Sequence, residues 1–341
     1  MKRVQILLVF VLVPVFLSTV ACKRKSVSVP DDFPTIEAAY ANVQTGGTIT
    51  IKPGKYELSD TIDVNRTVTF LGDSEDMDDV VIDCPEADAF HITGGNPSFK
   101  NLSVSSKKEE GEAFYVFRGA PQFIHCTITS RMGNGMIVLG EDCNPYLESC
   151  VIKNCGKQGL EFSTSARGTV QNCEFYGNIG AGIWVMSSSD PTFIGCKIHD
   201  GKEVGLVVGY GSFGEFKDCQ IYGNASGGIN VMDSGTNPTF IECKIHDNES
   251  YGVFIVDNAL GEFKDCEIYK NTGTGIDVMT GNPTVTGCKI YDGKEAGVRV
   301  FDRGKGTFNN NTLKNNGKNW VIRDDAGVVK GSGNNPEIPE Q

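Results

Sequence analysis

The 341-residue sequence predicts an all-β chain, a right-handed parallel β-helix solenoid of about 12 coils with an N-terminal capping helix. Three observations predict it. Cysteines recur at a near-constant period, with Cys126, Cys150, Cys173, Cys196, Cys219, Cys243, Cys266 and Cys288 separated by 24, 23, 23, 23, 24, 23 and 22 residues. Two further apolar columns and a glycine column keep the same register. No segment of helical period separates the short strand patterns, so the strands pair directly from one repeat to the next.

The columns justify the strands. Three residues before each cysteine stands an apolar residue, Phe123, Leu147, Val170, Phe193, Phe216, Phe240, Phe263 and Val285, and the column extends to Phe99 and Phe308. Two residues after each cysteine stands another, Ile128, Ile152, Phe175, Ile198, Ile221, Ile245, Ile268 and Ile290. Nine residues after each comes a glycine, as at Gly182, Gly228 and Gly275, and it opens an alternating strand such as Gly182-Ile183-Trp184-Val185. Turns rich in Gly, Asn, Asp and Ser separate these pieces. Coils of this kind stack at about 4.8 Å, each column packing on its own equivalents, and right-handedness follows from the crossover rule for parallel strands. The β-helix is expected to span residues 46–327.

A solenoid exposes strand edges at both ends unless they are covered. Residues 34–45 supply the N-terminal cap: Pro34 suits a first turn, Ile36, Ala39, Tyr40 and Val43 share one face, and Gly46-Gly47 stop the helix. Residues 22–33 read as a tether and residues 328–341 as a polar tail.

Residues 1–21 read as a signal peptide: Lys2 and Arg3 open it, residues 6–16 are apolar, and Ser18-Thr19-Val20-Ala21 are small. Cys22 follows directly, as in a bacterial lipoprotein signal, with Thr19 where Leu is usual. Lipidation of Cys22, ordinary secretion with cleavage at the same bond, and a retained anchor are the three readings. Lys23-Arg24-Lys25 beside a lipid could face anionic headgroups, and is equally a plain solvated segment. The formal net charge of −12 excludes nucleic acid as a partner, which needs a basic footprint.

Residues 29–39, Val-Pro-Asp-Asp-Phe-Pro-Thr-Ile-Glu-Ala-Ala, with Gly47-Thr-Ile-Thr-Ile-Lys-Pro-Gly-Lys-Tyr56, resemble the opening of pectin-lyase-like β-helix proteins. The repeats at Asn237-Pro-Thr-Phe-Ile-Glu-Cys-Lys-Ile-His-Asp247 and from Asn282 to Gly297 resemble the carbohydrate-binding and sugar-hydrolysis repeat, nearest to the β-helix region of F-box ubiquitin-ligase adaptors. The resemblance implies fold over roughly residues 29–327 and rests on scaffold positions, so it licenses no shared chemistry. The paired-aspartate and Gly-His-Gly motifs of polygalacturonase-like hydrolases and the Asp-Pro-His-Glu motif of alginate epimerases are not found. Gly54-Lys-Tyr-Glu57 resembles a pectin methylesterase opening without its partner motifs.

The cysteine ladder reads as small buried residues filling an interior corner. Neighbouring members point the same way about 4.8 Å apart, whereas disulfides need convergent Cβ atoms near roughly 3.8 Å, and one column cannot surround a tetrahedral metal. Export to an oxidising compartment is the argument for bridges. The recurring carboxylates Asp200, Asp247 and Asp292, with Glu203 and Glu295, read as turn chemistry because a catalytic site is normally unique. No cofactor and no metal are expected.

Function is expected on outward positions. The residue after the isoleucine column is Tyr176, His199, Tyr222, His246, Tyr269 and Tyr291 in six consecutive coils, flanked by Lys153 and Lys314. These rings either stabilise neighbouring coils or form a platform for a sugar polymer or an extended partner protein. The sequence therefore points to a non-catalytic, envelope-anchored binding module for an extended ligand. A structural or adhesive surface protein and a polysaccharide lyase or hydrolase are the rivals.

Overall fold

The computed structural model describes residues 23–340; the signal segment and Cys22 lie outside the described residues. Within them the chain winds into a parallel β-helix of about 13 turns with one α-helix. One coil shows the plan. Strands Ile183–Val185, Thr192–Ile194 and Lys197–His199 turn through three sides, and each pairs in parallel with its equivalent one repeat later. Among the described residues the strands form a 24-stranded sheet, made of the second and third sides, and a 12-stranded sheet, made of the first.

The interior is the set of columns read from the sequence. Phe193, Phe216, Phe240 and Phe263 stack with centroids 4.8–5.0 Å apart and are fully buried; each such side chain contributes about 1.5–3 kcal/mol by leaving water. All eight ladder cysteines are buried and unbridged, as are Cys84, Cys143 and Cys155. Glycine is required where the first strand begins: a Cβ on Gly182 would lie 2.6 Å from Ile198 Cγ2 and 2.8 Å from the Gly205 carbonyl oxygen of the next coil. Asp200, Asp247 and Asp292 sit at left-handed backbone positions, with φ of 51°, 54° and 57°, which is turn chemistry. Beyond them the turn is closed by a buried amide file, in which Asn224 Nδ2 donates to Asn248 Oδ1 and Asn248 Nδ2 to Asn271 Oδ1.

Three boundaries differ from the sequence expectation. The segment expected as a tether contains the strand Arg24–Val29, which pairs with Val43–Ile51 and adds a coil before the cap. Its alternating Val27 and Val29 are buried, so the apolar period continues further toward the N-terminus than the cysteine column does. The helix is Ile36–Asn42, with Thr35 rather than Pro34 at its start: the Thr35 hydroxyl accepts from Ala38 N at 3.2 Å. The expected tail is folded. Val329–Lys330 pairs with Gly306–Asn309, Asn335 bridges to Thr312, and Trp320 Nε1 donates to the Pro336 carbonyl at 3.0 Å.

Candidate functional site

The structure brings all six predicted rings into one file. From Tyr176 through His199, Tyr222, His246 and Tyr269 to Tyr291, successive centroids lie 5.4, 4.6, 5.1, 4.6 and 5.0 Å apart, with planes within 16° of parallel. Lys153 Nζ lies 5.9 Å from the Tyr176 centroid and Lys314 Nζ 5.4 Å from that of Tyr291, so a cation closes the stack at each end. Parallel rings on adjacent coils cover one another's faces. The ladder therefore presents edges outward, hydroxyls and imidazole nitrogens, not the flat faces on which a sugar stacks.

Some of the ring edges are also engaged. His199 Nδ1 lies 2.7 Å from Asp200 Oδ2 and its Nε2 3.0 Å from Glu174 Oε1; His246 Nδ1 lies 2.7 Å from Asp247 Oδ2. Tyr291 donates to Glu267 Oε2 at 3.5 Å. Burial raises the hydroxyls of Tyr222, Tyr269 and Tyr291 above the ordinary tyrosine value, so they remain donors at neutral pH.

A second outward file lies on the 12-stranded sheet. The central residue of each strand points out between two buried neighbours, and the register is unbroken. Asp63, His91, Tyr115, Ile137, Glu161 and Trp184 pair in turn, followed by Val207, Asn230, Phe254, Asp277, Arg299 and Val321. These side chains are buried or half-buried over most of the file. Trp184 stacks on no other ring among the described residues, and its Nε1 has no hydrogen-bond partner; nor has Asn230 Oδ1 two coils further on.

The N-terminal part of this file carries an acid–base cluster. His91 Nε2 lies 2.7 Å from Asp88 Oδ2, and Asp88 Oδ1 accepts the Glu112 backbone N–H at 3.0 Å. The His91 ring meets Tyr115 and Phe117 edge-on, at 5.8 and 5.4 Å, while Tyr115 and Phe117 stack at 4.3 Å. Burial first, then the neighbouring Asp88 charge, pushes the Glu112 carboxyl up to about 7. Burial likewise raises Glu161, against the opposing influence of Lys157. A carboxylate holding an imidazole beside a second, protonatable carboxyl is an arrangement able to move a proton near neutrality. Among the described residues no cluster of His, Cys, Asp and Glu could hold a metal ion.

At the other end of the file the charge reverses. Asp277, 5% exposed, accepts from Arg299 Nε at 2.7 Å and from its second guanidinium nitrogen at 2.6 Å. Arg299 and Arg323 lie 5.5 and 5.3 Å from the Phe301 centroid. The sequence reading missed this file because no residue type recurs on consecutive coils. The available signal was positional: each member from Ile137 to Arg299 stands two residues after a column glycine.

Residues 88–242 and 233–338 match the family model described as the right handed beta helix region, and the chain belongs to that family. A search of curated protein sequences finds no match. Among solved structures, the chain resembles the AlgE6 A-module, a mannuronan C-5 epimerase of Azotobacter vinelandii, at 16% identity and TM-score 0.71, covering 88% of this chain and 92% of that one. It also resembles the periplasmic alginate epimerase AlgG, at 12% identity and TM-score 0.67 over 91% and 84% of the two chains. The catalytic domain of a GH87 α-1,3-glucanase matches at 12% identity and TM-score 0.58, over 92% and 69%. At these identities the likenesses establish the fold.

Proposed function

We propose that this protein engages an extended polysaccharide along the outer file of its 12-stranded sheet, held at the cell envelope by a lipid on Cys22. The observation that carries the reading is the contrast between the two outward files. The rings of the tyrosine–histidine ladder cover one another's faces, whereas the half-buried Trp184 stacks on no other ring and its buried indole N–H has no partner within the chain. An uncovered aromatic ring amid polar and apolar neighbours suits a sugar, which offers both an apolar ring face and hydroxyls. The solved structures with this fold add support, since their names describe enzymes acting on mannuronan, alginate and α-1,3-glucan.

A second reading, chemical turnover of the same polymer, is favoured by the Asp88–His91 pair beside Glu112. One experiment addresses both: a panel of polysaccharides scored for saturable binding and for product release. The protein has two tryptophans, so in a Trp320→Phe background Trp184 is the sole tryptophan reporter. Binding is expected to shift its emission, and Trp184→Ala should weaken the affinity at least tenfold. Product release that His91→Ala abolishes would select turnover. Saturable binding unaffected by Trp184→Ala would remove the second sheet as the site.

A further inference from the structure

We infer that the C-terminal end of the second sheet's outer face is a binding site for a tetrahedral oxyanion, a sulfate or phosphate ester group. That the group is borne by a sugar rests on the polysaccharide reading above; the anion site itself does not. A cavity of about 340 Å³ is lined there by Lys294, Arg299, Lys318 and Arg323, with Glu295 as its one carboxylate and Ala296, Gly317 and Val321 as the uncharged remainder. Four cations converge on one concavity in a chain whose net charge is −12. The strand pairing explains why. Ala296 lies opposite Lys318 and Arg299 opposite Val321, so the last two strands of the sheet bring their basic residues to the same place.

The charges already spent can be subtracted. The Arg299 fork is filled by Asp277, with Nε 2.7 Å and a second nitrogen 2.6 Å from its two oxygens, and Glu295 lies 3.4 Å from the remaining one. Lys294 and Lys318 are exposed and make no ion pair among the described residues, and the Arg323 side chain packs on the Phe301 ring without an ion pair. Asp324 lines an adjoining cavity without forming an ion pair with Arg323.

The donor set selects the anion. A planar carboxylate is recognised best by a free guanidinium fork; Asp277 occupies that of Arg299, and the Arg323 guanidinium lies against the Phe301 ring. What remains are two ammonium point charges and one exposed guanidinium, each able to take a different oxygen of a tetrahedral group. The face is thus acidic near Asp88 and Glu112 and basic at its other end, so a polymer with sparse anionic groups would lie along it in one direction.

The test is calorimetric titration of the full chain at low ionic strength, where exposed charges are least screened. The probes are inorganic sulfate, inorganic phosphate, glucose 6-sulfate, glucose 6-phosphate, glucuronic acid and glucose. Saturable binding of either ester or its inorganic ion is expected, weakened at least tenfold in Lys318→Gln/Arg323→Gln and at least threefold in the single, exposed Lys294→Gln. The tighter ester identifies the group. Inorganic ions that saturate while sugar esters bind no tighter would support the anion site and count against the polysaccharide. No saturation by any of the four, affinity unchanged in folded variants, or glucuronic acid binding as tightly as the esters would overturn the assignment.

Discussion

Glu112 is 9% exposed and shares its column with Asp88 on the preceding coil, whose carboxylate accepts the Glu112 backbone N–H. Both circumstances disfavour its charged form, and its value rises from 4.5 to about 7. A carboxyl raised on folding holds its proton more tightly in the folded chain than in the unfolded one. Its contribution to stability is therefore fully present below about pH 4.5 and is lost as pH rises to 7, a change of up to about 3 kcal/mol. Glu112→Gln keeps the shape without the charge. It should raise the melting temperature at pH 8 and leave it nearly unchanged at pH 4, measured by circular dichroism. An equal shift at both pH values would show that the ionisation of Glu112 is not what the folded chain resists. Single residues of this kind were not legible beforehand, because the sequence shows an acid near a turn but not the burial that shifts it. The cysteines were legible: identity, spacing and size together implied an interior column. Burial pushes the Cys155 thiol up to about 12, consistent with an inert filler.

Among the elements, the aromatic ladder is the clearest test of scaffold against site. Removing Tyr222 and Tyr269 breaks four of its five stacked contacts, those between His199, Tyr222, His246, Tyr269 and Tyr291. At about 0.5–1.5 kcal/mol per pair, Tyr222→Ala/Tyr269→Ala should cost about 2–6 kcal/mol and lower the melting temperature. Polysaccharide binding measured below that temperature should be unchanged. Lost binding with an unshifted melting temperature would return the site to the ladder. Sequence spacing told which rings stand on successive coils and that they face outward. It could not tell how the rings tilt, and the tilt decides whether their faces meet a ligand or each other. The second file stayed hidden for the opposite reason. Asp63 through Val321 change type at nearly every coil, and a column in which no residue type recurs on consecutive coils leaves no periodic trace. Variation on a regular scaffold is what a binding surface needs, since each coil then offers a different group to the ligand.

The whole molecule is a rod of about 13 coils, about 60 Å long at the strand spacing. Its N-terminal end is closed by Arg24–Val29 and the helix Ile36–Asn42, and its C-terminal end by the folded strand Val329–Lys330 and the Pro336 contact with Trp320. The first coil begins at Arg24, so a lipid on Cys22 would tether the rod by one end. Trp184 stands about six coils away, about 30 Å at that spacing, and the basic cavity about five coils further still. Anchor and site are then mechanically independent, with only stacked coils between them and no shared side chains. Cys22→Ser should abolish metabolic fatty-acid labelling and move the protein from the membrane fraction to the soluble one. The released protein should bind polysaccharide with the Kd of the anchored form, because the coils that carry the file do not include the N-terminal segment. Labelling that persists would remove Cys22 as the lipid site. Membrane retention without labelling would favour an uncleaved apolar anchor. Release accompanied by lost binding would mean that the membrane surface or the lipid itself completes the site, and that the outer file is insufficient alone.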